Sequence, residues 1–135
     1  MKIVLDTNVL VSGLLSPHGQ PATLLNLIVE KEINILLDER ILDEYSEVLM
    51  RPRFKFNKNH IHDLLIFLDS IAEWIIPAPL KITIPDPDDL PFLEVALSGH
   101  ANALVTGNKK DYGSWIQKAV IMTPTEFFTH YKSFE

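Results

Sequence analysis

The residues of this sequence that could take part in chemistry have acidic or amide side chains. Asp6 directly follows a short apolar run, and Glu44 lies in an amphipathic segment. Two carboxylates about 4 Å apart would repel by roughly 4 kcal/mol at an effective dielectric constant near 20, so a cluster of them would need a proton or a cation. Magnesium and manganese accept oxygen ligands and retain water, and such an ion can promote phosphodiester hydrolysis. The other candidate residues are Asp86, Asp88, Asp89, Asn108 and Asp111.

The periodicity of the apolar residues predicts the elements that must position these side chains. Strands are predicted at residues 2–5, 33–37, 74–76, 103–106 and 119–122, with an extended edge segment at 81–84. Helices are predicted at about 22–32, 38–50, 58–72, 88–99 and from 124 onward, with N-caps at Asp38 and Thr123. This alternation predicts an α/β fold, a three-layer α/β/α sandwich with a mostly parallel sheet of about five strands.

The predicted topology brings the candidate residues toward one rim of the molecule. Open α/β sheets bind their ligands beyond the carboxyl ends of the strands, and Asp6 stands at such an end. Asn108 follows the strand at 103–106, and Asp88 and Asp89 begin a helix. Residues 1–135 contain no repeat and no linker, which predicts a single domain.

The composition is that of a globular protein without cysteine. No apolar run approaches the length of a membrane span, and Asp6 interrupts the first apolar segment too early for a signal peptide. The lack of cysteine excludes disulfides and thiolate zinc, and it fits a reducing cytoplasmic interior. The formal net charge of −6 argues weakly against a general nucleic-acid coat protein. A metal-loaded carboxylate cluster would nevertheless attract phosphate.

Four segments, taken together and in this order, resemble the PIN-domain family. The branch that they resemble most is that of the toxin components of toxin–antitoxin systems, the VapC-like ribonucleases. The resemblance implies a metal-dependent endoribonuclease that acts on single-stranded regions of RNA, uses Mg²⁺ or Mn²⁺, and is inhibited by a small antitoxin protein. It also implies a parallel sheet and a homodimer or higher homo-oligomer. The segments are Ile3 to Val9, the position of Glu44, Asp86 to Leu93 and Val105 to Lys109.

By position, the resemblance assigns the metal to Asp6, Glu44 and Asp89. Asp89 is preferred to Asp88 because the segment that it begins matches the family's pattern at the start of this helix. Many relatives have aspartate at a fourth catalytic position, where this chain has Asn108, and an amide brings no charge. Nearby groups that would orient the ligands or compensate for the missing acid are Asn8, Ser12, Thr106 and Asp111.

A cationic and aromatic segment follows the second predicted helix. Arg51, Arg53 and Lys55 alternate there with Phe54 and Phe56 in a chain that is acidic overall. Such a segment could bind RNA, with the cations on phosphates and the aromatic rings on bases. It could equally be a solvated loop whose phenylalanines pack into the core, or a surface for a protein partner.

Each candidate residue also has an ordinary structural explanation. Two other functions were therefore weighed against the nuclease. Asp6 suits a turn or a cap, Glu44 a solvated helix, and Asp89 the positive end of a helix dipole. Because Asn108 departs from the family pattern, the chain could be a non-catalytic PIN-like module that binds RNA or protein. An aspartyl-phosphate phosphatase is disfavoured, since the residue two positions after Asp6 is Asn8 rather than an acid.

Overall fold

A parallel five-stranded sheet forms the centre of the protein. A computed structural model describes residues 1–117 and 119–133. The strands lie in the order β3-β2-β1-β4-β5, with every neighbouring pair parallel, which confirms the predicted α/β fold. Their bounds are β1 Lys2–Leu5, β2 Asn34–Leu37, β3 Glu73–Trp74, β4 Ala103–Val105 and β5 Ile121–Met122.

Six α-helices are present in the part of the chain that the structure describes. Asp38 caps α3 as predicted, because its side chain accepts a hydrogen bond from the amide of Ile41 at 3.0 Å. Thr123 and Glu126 form the predicted capping box of α6, each accepting the other's backbone amide hydrogen bond. The helices are α1 Thr7–Leu15, α2 Gln20–Val29, α3 Glu39–Leu49, α4 Lys58–Ile71, α5 Leu90–Ser98 and α6 Pro124–Ser133.

Helix α1 was not predicted, because its sequence lacks the usual alternation of apolar and polar faces. Val9, Leu10 and Val11 are consecutive and all buried, so the helix packs on several sides at once. Asn8 and Ser12, which flank this buried run, are exposed. They are four residues apart, so they share one face of the helix.

The segment after β3 is irregular, and two predictions for it were wrong. β3 ends at Trp74 instead of reaching Ile76, which is 97% exposed. The predicted extended edge segment at 81–84 pairs with no strand of the sheet. The prolines at 77, 79 and 85 lack the N–H groups that a strand would need.

Three 3-10 segments occur near the predicted site in the described residues, and the first of them is Pro52–Phe54. The helix predicted from 88 begins instead with a 3-10 turn, Pro87–Asp89, before α5, and a third 3-10 segment covers Lys109–Gln117. Strand β5 covers Ile121–Met122 and is shorter than the predicted 119–122. Residue 118, which precedes the predicted strand, lies outside the described residues. No described helix is long and apolar enough to cross a membrane.

The core lies between the sheet and its helices, and it fixes the end of β1. The side chains of Ile3, Val4 and Leu5 are at most 1% exposed, and burial of such a side chain stabilises the fold by about 1.5–3 kcal/mol. The amide of Asp6 donates to the carbonyl of Val105 at 2.9 Å, which continues the ladder between β1 and β4. The carboxyl end of the central strand is therefore held rigidly.

Candidate active site

The Asp6 carboxylate is buried at the carboxyl end of β1. Its Oδ2 atom accepts hydrogen bonds from the hydroxyls of Thr106, at 2.8 Å, and Tyr112, at 3.0 Å. Burial raises the pKa of Asp6, and these hydrogen bonds oppose that effect only in part. Asp6 is thus an oriented, desolvated carboxylate instead of a solvated turn residue.

Glu44 reaches the same region from the second turn of α3. Its Oε2 atom accepts a hydrogen bond from the hydroxyl of Thr7, the residue that begins α1. Burial is the largest cause of the raised pKa of Glu44, and the nearby charges of Asp6, Asp88 and Asp86 raise it further. Its side chain is therefore directed at the other acids and not into bulk solvent.

The turn at 86–89 adds three more carboxylates. Asp89 is 9% exposed, whereas Asp86 and Asp88 are exposed. Burial, followed by the negative charges of Asp6, Asp86, Asp111 and Glu44, raises the pKa of Asp89 to about 7. Asp86 also accepts a hydrogen bond from the amide of Asp88 at 3.0 Å, which shapes the turn.

Asn108 lies beside this cluster without lining its cleft. Its amide Nδ2 donates to Asp111 Oδ1 at 3.0 Å, and its backbone N–H donates to Thr106 Oγ1 at 3.1 Å. Asp111 does line the cleft, whereas Asn108 lines an adjoining hollow with Asn8 and Ser12. The amide thus contacts the acid that was predicted to compensate for it.

These side chains surround one open cleft of about 480 Å³. Arg51 and Arg53 line its wall, while Lys55 does not appear among the residues that line it. Arg51 is paired with Glu47 at 2.8 Å. The guanidinium carbon of Arg53 lies 4.7 Å from the centre of the Phe54 ring. The complete lining is Asp6, Thr7, Asn8, Val11, Ser12, Glu44, Val48, Arg51, Arg53, Phe54, Asp86, Asp88, Asp89 and Asp111.

The sequence did not reveal Thr7, which lines this cleft, or Tyr112, which contacts Asp6 without lining the cleft. Tyr112 is fully buried and donates to Asp6 across 106 positions of sequence, a separation at which spacing gives no signal. Thr7 follows Asp6 in the motif, but its contact with Glu44 depends on how α1 and α3 pack. Both hydroxyls orient carboxylates that line the cleft.

The donor set of the cleft fits a hard divalent cation. Within residues 1–117 and 119–133, no three acidic or histidine side chains are already spaced as a complete metal site. Mg²⁺ does not need such a cage, because it commonly binds through one or two carboxylates and keeps several waters. Asp6, Glu44 and Asp89 supply only oxygen donors, and each has a raised pKa to which neighbouring negative charge contributes. A cation would remove that repulsion.

The family of the chain is decided by a sequence match that covers most of its length. The family model for the PIN domain matches residues 2–110 of the 135. The chain belongs to the PIN-domain family. Members of this family are in general nucleases and in general bind divalent metals.

Similar proteins agree with this assignment. The PIN domain described here is 30% identical to the uncharacterized protein MJ1680 of Methanocaldococcus jannaschii, over 99% of this chain and 94% of the relative. Its fold resembles that of VapBC-1 from nontypeable Haemophilus influenzae, with a TM-score of 0.61 and 16% identity, over 93% of this chain and 99% of that chain. It also resembles VapBC2 from Rickettsia felis bound to a DNA fragment from their promoter. The TM-score is 0.56 and the identity 20%, over 90% of this chain and 97% of that chain. At these identities the two structures establish the PIN-like fold.

Proposed function

We propose that this PIN domain is a magnesium- or manganese-dependent endoribonuclease that hydrolyses phosphodiester bonds in single-stranded regions of RNA. The observation that supports this most is the meeting of Asp6, Glu44 and Asp89 in one cleft, from segments far apart in sequence. Burial is the largest cause of their raised pKa values, and the negative charges of neighbouring acids raise them further. A bound divalent ion would relieve their repulsion, activate water and neutralise charge on the phosphate.

The roles proposed for the acids follow from their burial and contacts. Asp6 and Asp89 are the two most buried of them and would hold the main ion. Glu44, held by Thr7, would complete the site directly or through water. Asp111 would add negative charge at the position that Asn108 supports. The hydroxyls that touch Asp6 and Glu44 would keep the ligand oxygens oriented, as outer hydrogen bonds do in other metal sites.

The cationic wall of the cleft supports a nucleic-acid substrate. Arg51 and Arg53 would contact backbone phosphates, and Phe54 offers a ring on which a base could stack. Phe54 stacks on Phe56 with ring centroids 5.7 Å apart, and both also pack against the core. The predicted role of Lys55 in RNA binding remains a prediction.

We further propose that the chain is the toxin of a type II toxin–antitoxin pair. The support is the family, together with the likeness of the fold to two VapBC structures. A cognate antitoxin protein would then inhibit the enzyme by occupying the cleft. A homodimer or higher homo-oligomer, a cytoplasmic location and the absence of a membrane partner complete the proposal.

The decisive test compares Asp6→Asn with the wild type in a cleavage assay on single-stranded RNA. The amide keeps the size of the side chain but removes its charge, so manganese-dependent cleavage should fall by more than ~100-fold, the upper range for groups that merely orient a ligand. Circular dichroism should show an intact fold. The matched control is Asp63→Asn, at an exposed position of α4, which should cleave normally. Comparable cleavage by Asp6→Asn would refute the assignment.

A non-catalytic PIN-like module that binds RNA or protein is the second candidate. The observation in its favour is that Asn108 stands where many relatives have an acid and does not line the cleft. Thermal unfolding with and without manganese separates the two candidates. Ion binding to the folded state alone would raise the unfolding temperature of a catalytic domain, and Asp6→Asn would lose that gain. An unchanged unfolding temperature in the wild type would favour the non-catalytic module.

A further inference from the structure

We propose that Asp38, Arg40 and Glu94 form a clamp that positions the carboxylate-bearing helices of the cleft and thereby sets its affinity for a divalent ion. These three residues are here called the Arg40 clamp. The inference rests on the proposed metal-dependent function and extends it to residues that do not line the cleft. None of the three was singled out by sequence for this role.

The Arg40 clamp is an ion triad with two buried acids. The guanidinium donates to Asp38 Oδ2 through Nε at 2.8 Å and Nη2 at 2.7 Å. Its Nη1 donates to Glu94 Oε1 at 2.7 Å. Asp38 and Glu94 are only 6% and 4% exposed, whereas the side chain of Arg40 is 45% exposed. A single fork therefore joins the start of α3 to α5.

The second oxygen of each acid holds a backbone amide. Asp38 Oδ1 accepts from the amide of Ile41 at 3.0 Å, which caps α3. Glu94 Oε2 accepts from the amide of Leu80 at 2.6 Å, which ties down the irregular segment leading into the turn at 86–89. The clamp thus connects α3, which carries Glu44, with α5 and with the segment that leads into the turn at 86–89. It does not contact β1 or the segment at 109–117.

The position of the clamp explains how it would affect the cleft. Glu44 lies six residues after Asp38 on α3, and Asp89 lies five residues before Glu94 at the start of α5. A shift of either helix would change the separation of these two carboxylates. Misplacement of a reacting group by 1 Å can cost about 100-fold in rate.

The energetics favour a positioning role over one in stability alone. A buried ion pair is often no more stabilising than well-packed apolar residues of similar volume, because the desolvation of the charges opposes their attraction. What the planar guanidinium adds is direction, since its donors fix two acids at set angles. Tyr45 and Phe92, whose rings are 6.4 Å apart, already supply apolar contact between α3 and α5.

The experiment measures manganese binding to folded protein, using the paramagnetic resonance signal of free Mn²⁺ well below the unfolding transition. Glu94→Gln keeps the shape of the side chain but removes the charge that holds Arg40. We expect it to weaken Mn²⁺ binding about tenfold, the lower range for groups that orient metal ligands. Arg40→Lys keeps a charge but loses the fork, so it should weaken binding in the same direction.

Two controls separate positioning from general loss of stability. Glu73→Gln makes the same chemical change in the partly exposed Lys2–Glu73 pair, at the amino end of β3. Ile28→Val removes one buried methyl group from α2, which destabilises the fold without touching the clamp. Both should bind Mn²⁺ as the wild type does.

The outcomes distinguish the clamp from the proposed function. Normal Mn²⁺ affinity in folded Glu94→Gln would overturn the clamp and leave the metal site intact. Weakened binding in Ile28→Val of the same size would also overturn it, because instability alone would then explain the effect. If the wild type binds no Mn²⁺, the proposed function fails as well. Should Glu94→Gln not fold, Arg40→Lys decides the question on the same terms.

Discussion

Replacement of Asp89 by asparagine should make the metal-free protein more stable near neutral pH, although Asp89 lies in the proposed active site. Its carboxyl group is largely buried, and its pKa is raised to about 7. Burial is the main cause, and the charges of four neighbours add to it: Asp6, Asp86, Asp111 and Glu44. Folding therefore favours the protonated acid, and ionisation costs free energy in the folded state.

The sign and size of the effect follow from the two pKa values. As the pH rises, Asp89 in the unfolded chain loses its proton near 3.8, while in the folded chain it does so only at about 7. The contribution of Asp89 to the free energy of unfolding therefore falls as the pH rises across this interval and is level above it. The full difference would be worth ~4 kcal/mol. Partial solvent screening and the favourable end of the α5 dipole reduce the expected gain in Asp89→Asn to about 1–2 kcal/mol.

The measurement is urea unfolding of the metal-free proteins at slightly alkaline pH and again near pH 3.8, the ordinary value for aspartate. The variant should gain stability at the higher pH and lose the advantage at the lower one. Asp88→Asn is the matched control, because Asp88 belongs to the same turn but is exposed. It should show little change at either pH.

Two results would refute this reasoning. If Asp89→Asn is no more stable than the wild type at alkaline pH, the repulsion inferred for the empty cleft is too small to matter. If its gain is the same at both pH values, the gain comes from something other than the charge. In excess manganese the order should reverse, because the ion would stabilise the wild type more than a variant that lacks a ligand.

Three further changes test other parts of the site. Tyr112→Phe removes the hydroxyl that donates to Asp6 and should weaken manganese affinity about tenfold with little loss of packing; an unchanged manganese titration would contradict this. Arg53→Ala should weaken RNA binding and lower the slope of log affinity against log salt concentration by about 1, the value expected for the loss of one phosphate contact. An unaltered salt slope would show that Arg53 does not contact the substrate. Asn108→Asp should fail to increase manganese affinity, because residue 108 lines the adjoining hollow and not the cleft itself; a clear increase, measured by calorimetry, would refute that view.

The sequence predicted the sheet well because its strands have strong local patterns. Ile3 to Leu5 and Ala103 to Val105 are continuous apolar runs, as expected of strands buried on both faces. The irregular segment around 81–84 was misjudged, since its prolines and its attachment to Glu94 outweigh the extended tendency of its apolar residues. Helix α1 was not predicted, because a helix that is buried on several sides has no regular alternation of apolar and polar residues.

The sequence named the acids of the candidate site and, in Thr106, one hydroxyl that donates to Asp6, but it did not name the other groups that hold these acids. Asp6 and Asp89 stand at the ends of well-patterned elements, so their meeting follows from the topology of a parallel sheet. The partners of these acids are set by packing between distant segments. Tyr112 reaches Asp6 across 106 positions, and Arg40 reaches Glu94 across 54. No local pattern encodes such pairs.

The departure at Asn108 is better understood from its contacts than from the missing charge. Its amide donates to Asp111, so the position serves an acid three residues further along the chain. A carboxylate at 108 would lie against Asp111 and add to the repulsion that already raises the pKa of Asp89. An amide instead leaves a single acid in this part of the wall and holds it in place. Asp111 therefore adds a carboxylate to the cleft from a position other than 108, beside those of Asp6, Glu44 and the turn at 86–89.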